Sequence, residues 1–367
     1  MSSNRREFLK AGAALSAIAA FPRLAFAQAA FAPAPGAWRS FQVVTRLEIA
    51  QPEGDVQAWV PLPSVNEAEW FRSDGSDWKT NARSVQLLTD PTYGTQMLHL
   101  QWAEGEKAPV VEITSRITTR DRAIDFTQPG SAPPLTEAER TLYLAPTALI
   151  PTDGIVKETA DKITANANGE VEKARAIYEW IVENTFRDPK VRGCGVGDIA
   201  SMLQTGNLGG KCADLNALFV GLARASGLPA RDIYGIRVAA SRFGYKSLGA
   251  SSEVISKSQH CRAEVYLTGY GWVPVDAADV RKVILEEPPG NLAIDDVKVV
   301  AVRAALFGSW EGNWLAYNFA HDVTLPDAKG PKVAFLMYPQ AESAGVRCDC
   351  LDPATFVYTI KASELGA

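Results

Sequence analysis

The sequence predicts an α+β protein in which an N-terminal antiparallel β-sandwich is followed by a helix-then-sheet unit, and three observations carry the prediction. Residues 38 to about 145 alternate apolar and polar side chains with many β-branched residues, the period-two signature of half-buried strands. Near Leu144 the periodicity becomes helical, across Pro146 and the breaker Pro151-Thr152-Asp153-Gly154. Strand patterning returns after Gly227, so helices and strands are segregated along the chain rather than alternating, as in α+β folds.

At 367 residues the chain suggests about two domains, and 47% hydrophobic with 22% charged residues is the composition of an ordinary globular protein. Its first residues read as processing rather than fold. Paired Arg5-Arg6, a weakly apolar run from Ala11 to Ala20 and the A-x-A site Ala25-Phe26-Ala27 resemble a twin-arginine (Tat) export signal spanning residues 1–27. About ten apolar residues are too few to cross a bilayer, which needs about 20. No later stretch is long and apolar enough to span a membrane either, so the expected location is periplasmic or secreted. Removing residues 1–27 takes away Arg5, Arg6, Lys10 and Arg23 but only Glu7, so the net charge of −5 falls by three, to −8. An acidic chain without a basic block argues against nucleic acid or an anionic membrane surface as partner. Five cysteines, Cys194, Cys212, Cys261, Cys348 and Cys350, are an odd number, so at least one is unpaired within the chain.

Residues 28–37 read as an Ala/Pro leader. In the domain expected over 38–145, strands are predicted at Phe41–Ile49, Val56–Val60 and Val110–Thr119, with turns at Asp74–Asp77 and Asp90–Gly94. A second domain is expected over 146–325. Its predicted helices include Glu170–Asn184, whose Ala174, Ile177, Tyr178 and Ile181 share one face, and an amphipathic helix from Cys212 that stops at Gly227 and Pro229. Strands are predicted at Ile233–Val238, Arg262–Leu267 and Trp272–Val275. A C-terminal β extension is expected over 326–367, with strands at Lys332–Tyr338 and Thr355–Ile360.

The stretch Gly206–Arg231, GNLGGKCADLNALFVGLARASGLPAR, places a cysteine just after a glycine turn and at the start of a helix. Helix N-termini favour negative charge and present free N–H groups, which suit a thiolate and an oxyanion formed beside it. Read on its own, a lone cysteine there is equally a buried structural residue. Downstream, Gln259–Leu267 and Trp272–Asp276 read as a β-hairpin with His260 on one strand and Asp276 leaving the other. A neutral imidazole takes a thiol proton, and a carboxylate on its far nitrogen fixes the tautomer. If Leu267 pairs with Trp272, Ala263 faces Asp276 and His260 lies three residues away, roughly 10 Å at 3.3 Å per residue, so a departure from simple pairing is expected.

Together, GGKCADLNALFVGLARASGLPAR and QHCRAEVYLTGYGWVPVDAADVRK resemble the transglutaminase-like superfamily over about residues 170–285. The resemblance implies a papain-like core with Cys212 as nucleophile, His260 as base and Asp276 as the orienting acid. It implies thiol-dependent acyl transfer or hydrolysis at a carboxamide or peptide bond, on a protein or peptide substrate. Relatives often carry an aromatic residue two positions after the histidine, where this chain has Arg262, so the acyl-binding side of the site is expected to differ. The segment Gly312–Asn318 is similar to a tail in bacterial members with a preceding β-domain, and Trp310, Trp314 and Tyr317 are expected in the core rather than the cleft.

Two other readings belong to different classes. One is a catalytically inactive periplasmic module of the same fold that binds peptide or glycan. The other is a redox protein using Cys348 and Cys350. The spacing Cys348-Asp349-Cys350, even with His321, lacks a second ligand pair, so no metal and no cofactor are expected, and a disulfide between Cys194 and Cys261 is the favoured structural use of two thiols.

Overall fold

The computed structural model describes residues 30–366. The twin-arginine segment and its cleavage site lie outside the described residues. The N-terminal part is a sandwich of two antiparallel sheets. One sheet has the order Phe356–Leu365, Arg39–Ile49, Val110–Thr119, Phe71–Thr80, and the other Val346–Arg347, Gln340–Ser343, Val56–Pro61, Gln96–Gln101, Ser84–Thr89. Alternation buries Phe41, Val43, Leu47 and Ile49 of a single strand. Leu47 and Ile49 meet Val60, Leu98, Leu100 and Ile113 between the sheets, whereas Phe41 and Val43 join the core of the following unit.

Two details of the sandwich differ from the sequence reading. The turn expected at Asp74–Asp77 lies within the strand Phe71–Thr80, where the register to Val110–Thr119 slips between Ser73 and Ser76 and Gly75 adopts a φ of +97°. It is a bulge, the other structure that Gly/Asp clusters support. Lys332–Tyr338 forms no strand. Leu336, Met337 and Tyr338 are buried on successive positions, and the Leu336 carbonyl accepts from Asn318 Nδ2 at 2.7 Å instead of joining a ladder. The C-terminal strands Gln340–Ser343 and Phe356–Leu365 complete both sheets of the sandwich.

In the second unit the helices Glu137–Leu144, Gly154–Thr164, Glu170–Asn184, Ile199–Thr205 and Cys212–Ala225 precede an antiparallel sheet of order Gly271–Val275, Gln259–Leu267, Ala230–Arg237, Trp314–Asn318. The Cys212 helix is buried on every side rather than along one stripe. Its polar residues bond to neighbouring elements: Arg224 donates to the carbonyls of Ala230 and Ala145 at 2.9 and 2.8 Å, and Asn216 donates to Cys261 O at 2.8 Å, while Arg224 Nη2 and Asn216 Oδ1 have no partner among the described residues. A buried ionic chain ties the two units together, with Glu264 accepting from Arg122 and, at 2.6 Å, from Arg231, which also reaches Glu67 of the sandwich at 2.8 Å. Removing one member of such a chain strands a buried charge and costs about 3–5 kcal/mol.

Candidate active site

Cys212 is the first residue of its helix, so its backbone N–H has no intrahelical carbonyl to bond. The turn before it is fixed by Asp214, whose carboxylate accepts from the N–H groups of Lys211, Val196 and Gly197, each at 2.9 Å. Ala213 N–H bonds Cys194 O at 2.9 Å, clamping the loop Cys194–Gly197 across the helix start. Gly195 has a φ of +95°, and a Cβ there would sit 1.9 Å from Asp214 Oδ2, so no other residue fits without breaking the clamp.

The hairpin register differs by one residue from the simple expectation. Leu267 faces Gly271, Tyr266 faces Trp272 and Ala263 faces Val275, so the ladder ends one step before Arg262 meets Asp276. His260 and Arg262 are two apart and share a strand face, which makes Asp276 a diagonal neighbour of His260 within side-chain reach. Asp276 then leaves the strand at φ −150°, ψ 76° as the N-cap of the helix Ala277–Glu286. Its Oδ2 lies 2.7 Å from His260 Nε2, and its Oδ1 accepts from Asp279 N–H at 3.1 Å and Asn216 Nδ2 at 3.2 Å. Nε2 is thereby committed to Asp276, leaving Nδ1 as the other ring nitrogen.

A second carboxylate supports the pair. Asp279 Oδ1 is 3.4 Å from His260 Nε2, and both its oxygens accept from Arg237 Nη2, at 2.6 and 2.7 Å. Burial opposes ionisation of Asp279, yet Arg237 and His260 hold it well below the usual carboxylate range. Burial likewise disfavours a charged imidazole, but Asp279 and Asp276 outweigh burial and the opposing Arg237, and the His260 pKa stands above its ordinary value. Burial, with repulsion from Asp279, raises Asp276. Arg262 does not line the cavity beside Cys212. It approaches Asp276 Oδ2 to 3.7 Å and stacks over Trp310 and Trp314, while burial and the Arg237 charge push its pKa down to about 10.

Cys212 and His260, each only 3% exposed, open on the same cavity of about 630 Å³. Access to the sulfur is therefore through that cavity. Its lining holds Lys211 and Lys257, the ion-paired Arg187, Arg192, Arg237 and Lys282, and the apolar Leu351, Pro353, Phe356, Val357 and Tyr358 of the C-terminal extension. Trp310, Trp314 and Tyr317 are buried and do not line it. Trp314 Nε1 donates to His260 O at 3.1 Å, so the tail Gly312–Asn318 positions the histidine strand from behind. Gly235 makes room for it, since a Cβ there would lie 2.3 Å from the Trp314 ring.

All five cysteines are free thiols. The expected Cys194–Cys261 bridge is not formed, although these two sulfurs and that of Cys212 all lie within 4.8 Å of one another. Cys348 and Cys350 are half-buried, and His321, whose imidazole is held well below its ordinary pKa by burial, bonds Tyr234 Oη at 3.3 Å in a separate part of the fold. Sequence reasoning missed Asn216, Asp279 and Arg237. Asn216 lies four residues after Cys212, so helical periodicity puts it on that residue's face, and Asp279 lies three after Asp276, its partner at the helix start. Nothing in the local sequence marks Arg237.

The chain is similar to known proteins in sequence and in fold. The family model described as "Transglutaminase-like superfamily" matches residues 157–277, from the helix Gly154–Thr164 to the residue after Asp276. An uncharacterised protein of Haemophilus influenzae is 38% identical over 329 residues, covering 85% of this chain and 87% of that protein. Among solved structures, a candidate cysteine protease from Cytophaga hutchinsonii superposes with a TM-score of 0.51 at 16% identity, over 89% of this chain and 99% of that chain, a likeness of fold.

Proposed function

Because this chain belongs to the transglutaminase-like superfamily, we propose that it is a thiol enzyme that transfers an acyl group from a carboxamide or peptide bond, with Cys212 as nucleophile, His260 as base and Asp276 as the orienting acid. The observation that carries the reading is the 2.7 Å bond from Asp276 to His260 Nε2, on an imidazole that shares a cavity with Cys212. His260 Nδ1 takes the thiol proton as sulfur attacks the carbonyl carbon. The oxyanion forms beside the helix start, where the Cys212 N–H is free to donate. The imidazolium, supported by Asp276 and Asp279, returns its proton to the departing amine, leaving a thioester on Cys212. Attack by water then gives hydrolysis, and attack by a second amine gives crosslinking.

The cavity suits a peptide acyl donor that carries a carboxylate and an apolar group, given Lys211 and Lys257 and the apolar Phe356 in its lining. Iodoacetamide tests the nucleophile directly. Cys212 is expected to alkylate at least about tenfold faster than the other four thiols, as an activated, accessible cysteine does, read by peptide mass mapping over time. Uniform slow labelling of all five would leave an inactive binding module as the better description.

The site of action follows from residues 1–27, which we propose direct export by the twin-arginine pathway to the periplasm. No helix among the described residues is long and apolar enough to cross a membrane. Replacing Arg5 and Arg6 together with lysine is expected to leave precursor in the cytoplasm, measured by fractionation and immunoblot. Normal export of that variant would remove the assignment.

A further inference from the structure

We propose that Cys194, Cys212 and Cys261 together form a binding site for a soft, thiophilic d10 metal ion held by three sulfurs, with Cu(I) the ion that fits best. The three ligand atoms lie within 4.8 Å of one another, and all three residues are buried, with 6%, 3% and 0% of their surface exposed. A trigonal ion with metal–sulfur bonds of about 2.3 Å holds its sulfurs about 4.0 Å apart. A disulfide requires about 2.05 Å between two of them and leaves the third without a partner. Three free thiols within 4.8 Å of one another have room for a three-sulfur metal centre and form no bridge. Thiolates of this kind select soft ions of low coordination number, and neither imidazole nor carboxylate belongs to the cluster, because His260 is turned to Asp276 and Asp279.

The scaffold holds the sulfurs in place before any ion arrives. The Cys194 loop is fixed to the helix start by the Ala213-to-Cys194 backbone bond, and the Cys261 strand is fixed to the same helix by Asn216 Nδ2 on Cys261 O at 2.8 Å. Cys194 and Cys212 both face the cavity, which gives an ion a way in. Binding is a ligand exchange without electron transfer: each metal–sulfur bond forms as an S–H proton leaves to solvent. Because the ion would occupy Cys212, its presence would silence the proposed nucleophile reversibly. The site itself does not depend on that catalytic reading, and its test reads the metal.

The full-length mature protein, reduced and kept anaerobic, is titrated with Cu(I) against a chromophoric chelator. One equivalent is expected to bind, with X-ray absorption showing three sulfurs at about 2.3 Å, and the loaded protein should resist iodoacetamide at Cys212. Cys194→Ala and Cys261→Ala should each weaken binding by about tenfold or more, whereas Cys348→Ala and Cys350→Ala should leave it unchanged. Two-sulfur coordination in the wild-type protein would overturn the proposal, as would full affinity in Cys261→Ala or loss of binding in the Cys350→Ala variant. The spectrum of the wild-type protein decides the matter even if a variant fails to fold.

Discussion

Replacing Cys212 with alanine is expected to abolish acyl transfer while lowering stability by no more than about 1–2 kcal/mol. The sulfur lies at the floor of a cavity rather than in the packed interior of the helix, so its loss opens little new void. Helix formation does not depend on it either. The start is held by the Asp214 carboxylate on three backbone N–H groups and by Ala213 on Cys194 O, and none of these contacts uses the Cys212 side chain. Turnover of a thioester-forming probe and chemical denaturation, run on the same preparation, separate the two effects. A variant that does not fold would make Cys212 a structural residue and remove the basis of the proposed chemistry.

Asp276→Asn is expected to keep the fold and lower turnover by about two to four orders of magnitude. Asparagine caps helices about as well as aspartate, so the bond to Asp279 N–H survives. Its amide nitrogen, however, meets His260 Nε2 as a donor where the carboxylate was an acceptor, which stabilises the wrong tautomer and removes a negative charge from beside the imidazolium. Since Asp276 is one of the groups that raise the His260 pKa, the imidazole of the variant should titrate at lower pH than that of the wild type. Kinetics and an NMR titration of the His260 ring test the two halves of the argument. Unchanged turnover would pass the orienting role to Asp279, 3.4 Å from the same nitrogen.

Much of this was legible in the sequence because it was local. Period-two runs at Phe41–Ile49 and Val110–Thr119, and the helical face of Glu170–Asn184, describe elements whose burial repeats at short range. The positions of Cys212, His260 and Asp276 were legible because a glycine turn, a hairpin and a helix cap each leave a composition trace. The rest depended on contacts remote in sequence. Arg237 reaches Asp279 across 42 positions, and Asn216 reaches Asp276 across 60. The Lys332–Tyr338 run reads as a strand because Val333, Phe335 and Met337 alternate, yet what fixes it is burial of Leu336 and Met337 between elements far away in the chain. The hairpin register turned on one residue, which no apolar pattern specifies when both faces of Gln259–Leu267 are buried.

The return of the strand Phe356–Leu365 to the sheet of Arg39–Ile49 has a consequence for biosynthesis. A ribosome delivers Cys212, His260 and Asp276, the residues of the proposed triad, well before it delivers this strand. Until the strand emerges, the first sheet has an open edge, and the loop before His260 lacks the partners that Ile255 N–H and Glu253 O find at Ile360 and Ala362. The apolar wall built by Phe356, Val357 and Tyr358 is missing for the same interval. A nascent chain thus carries Cys212 in an unfinished cleft, and the cavity around it is completed only when synthesis is nearly over. The order of the chain alone therefore separates delivery of the site residues from completion of the cavity that encloses them.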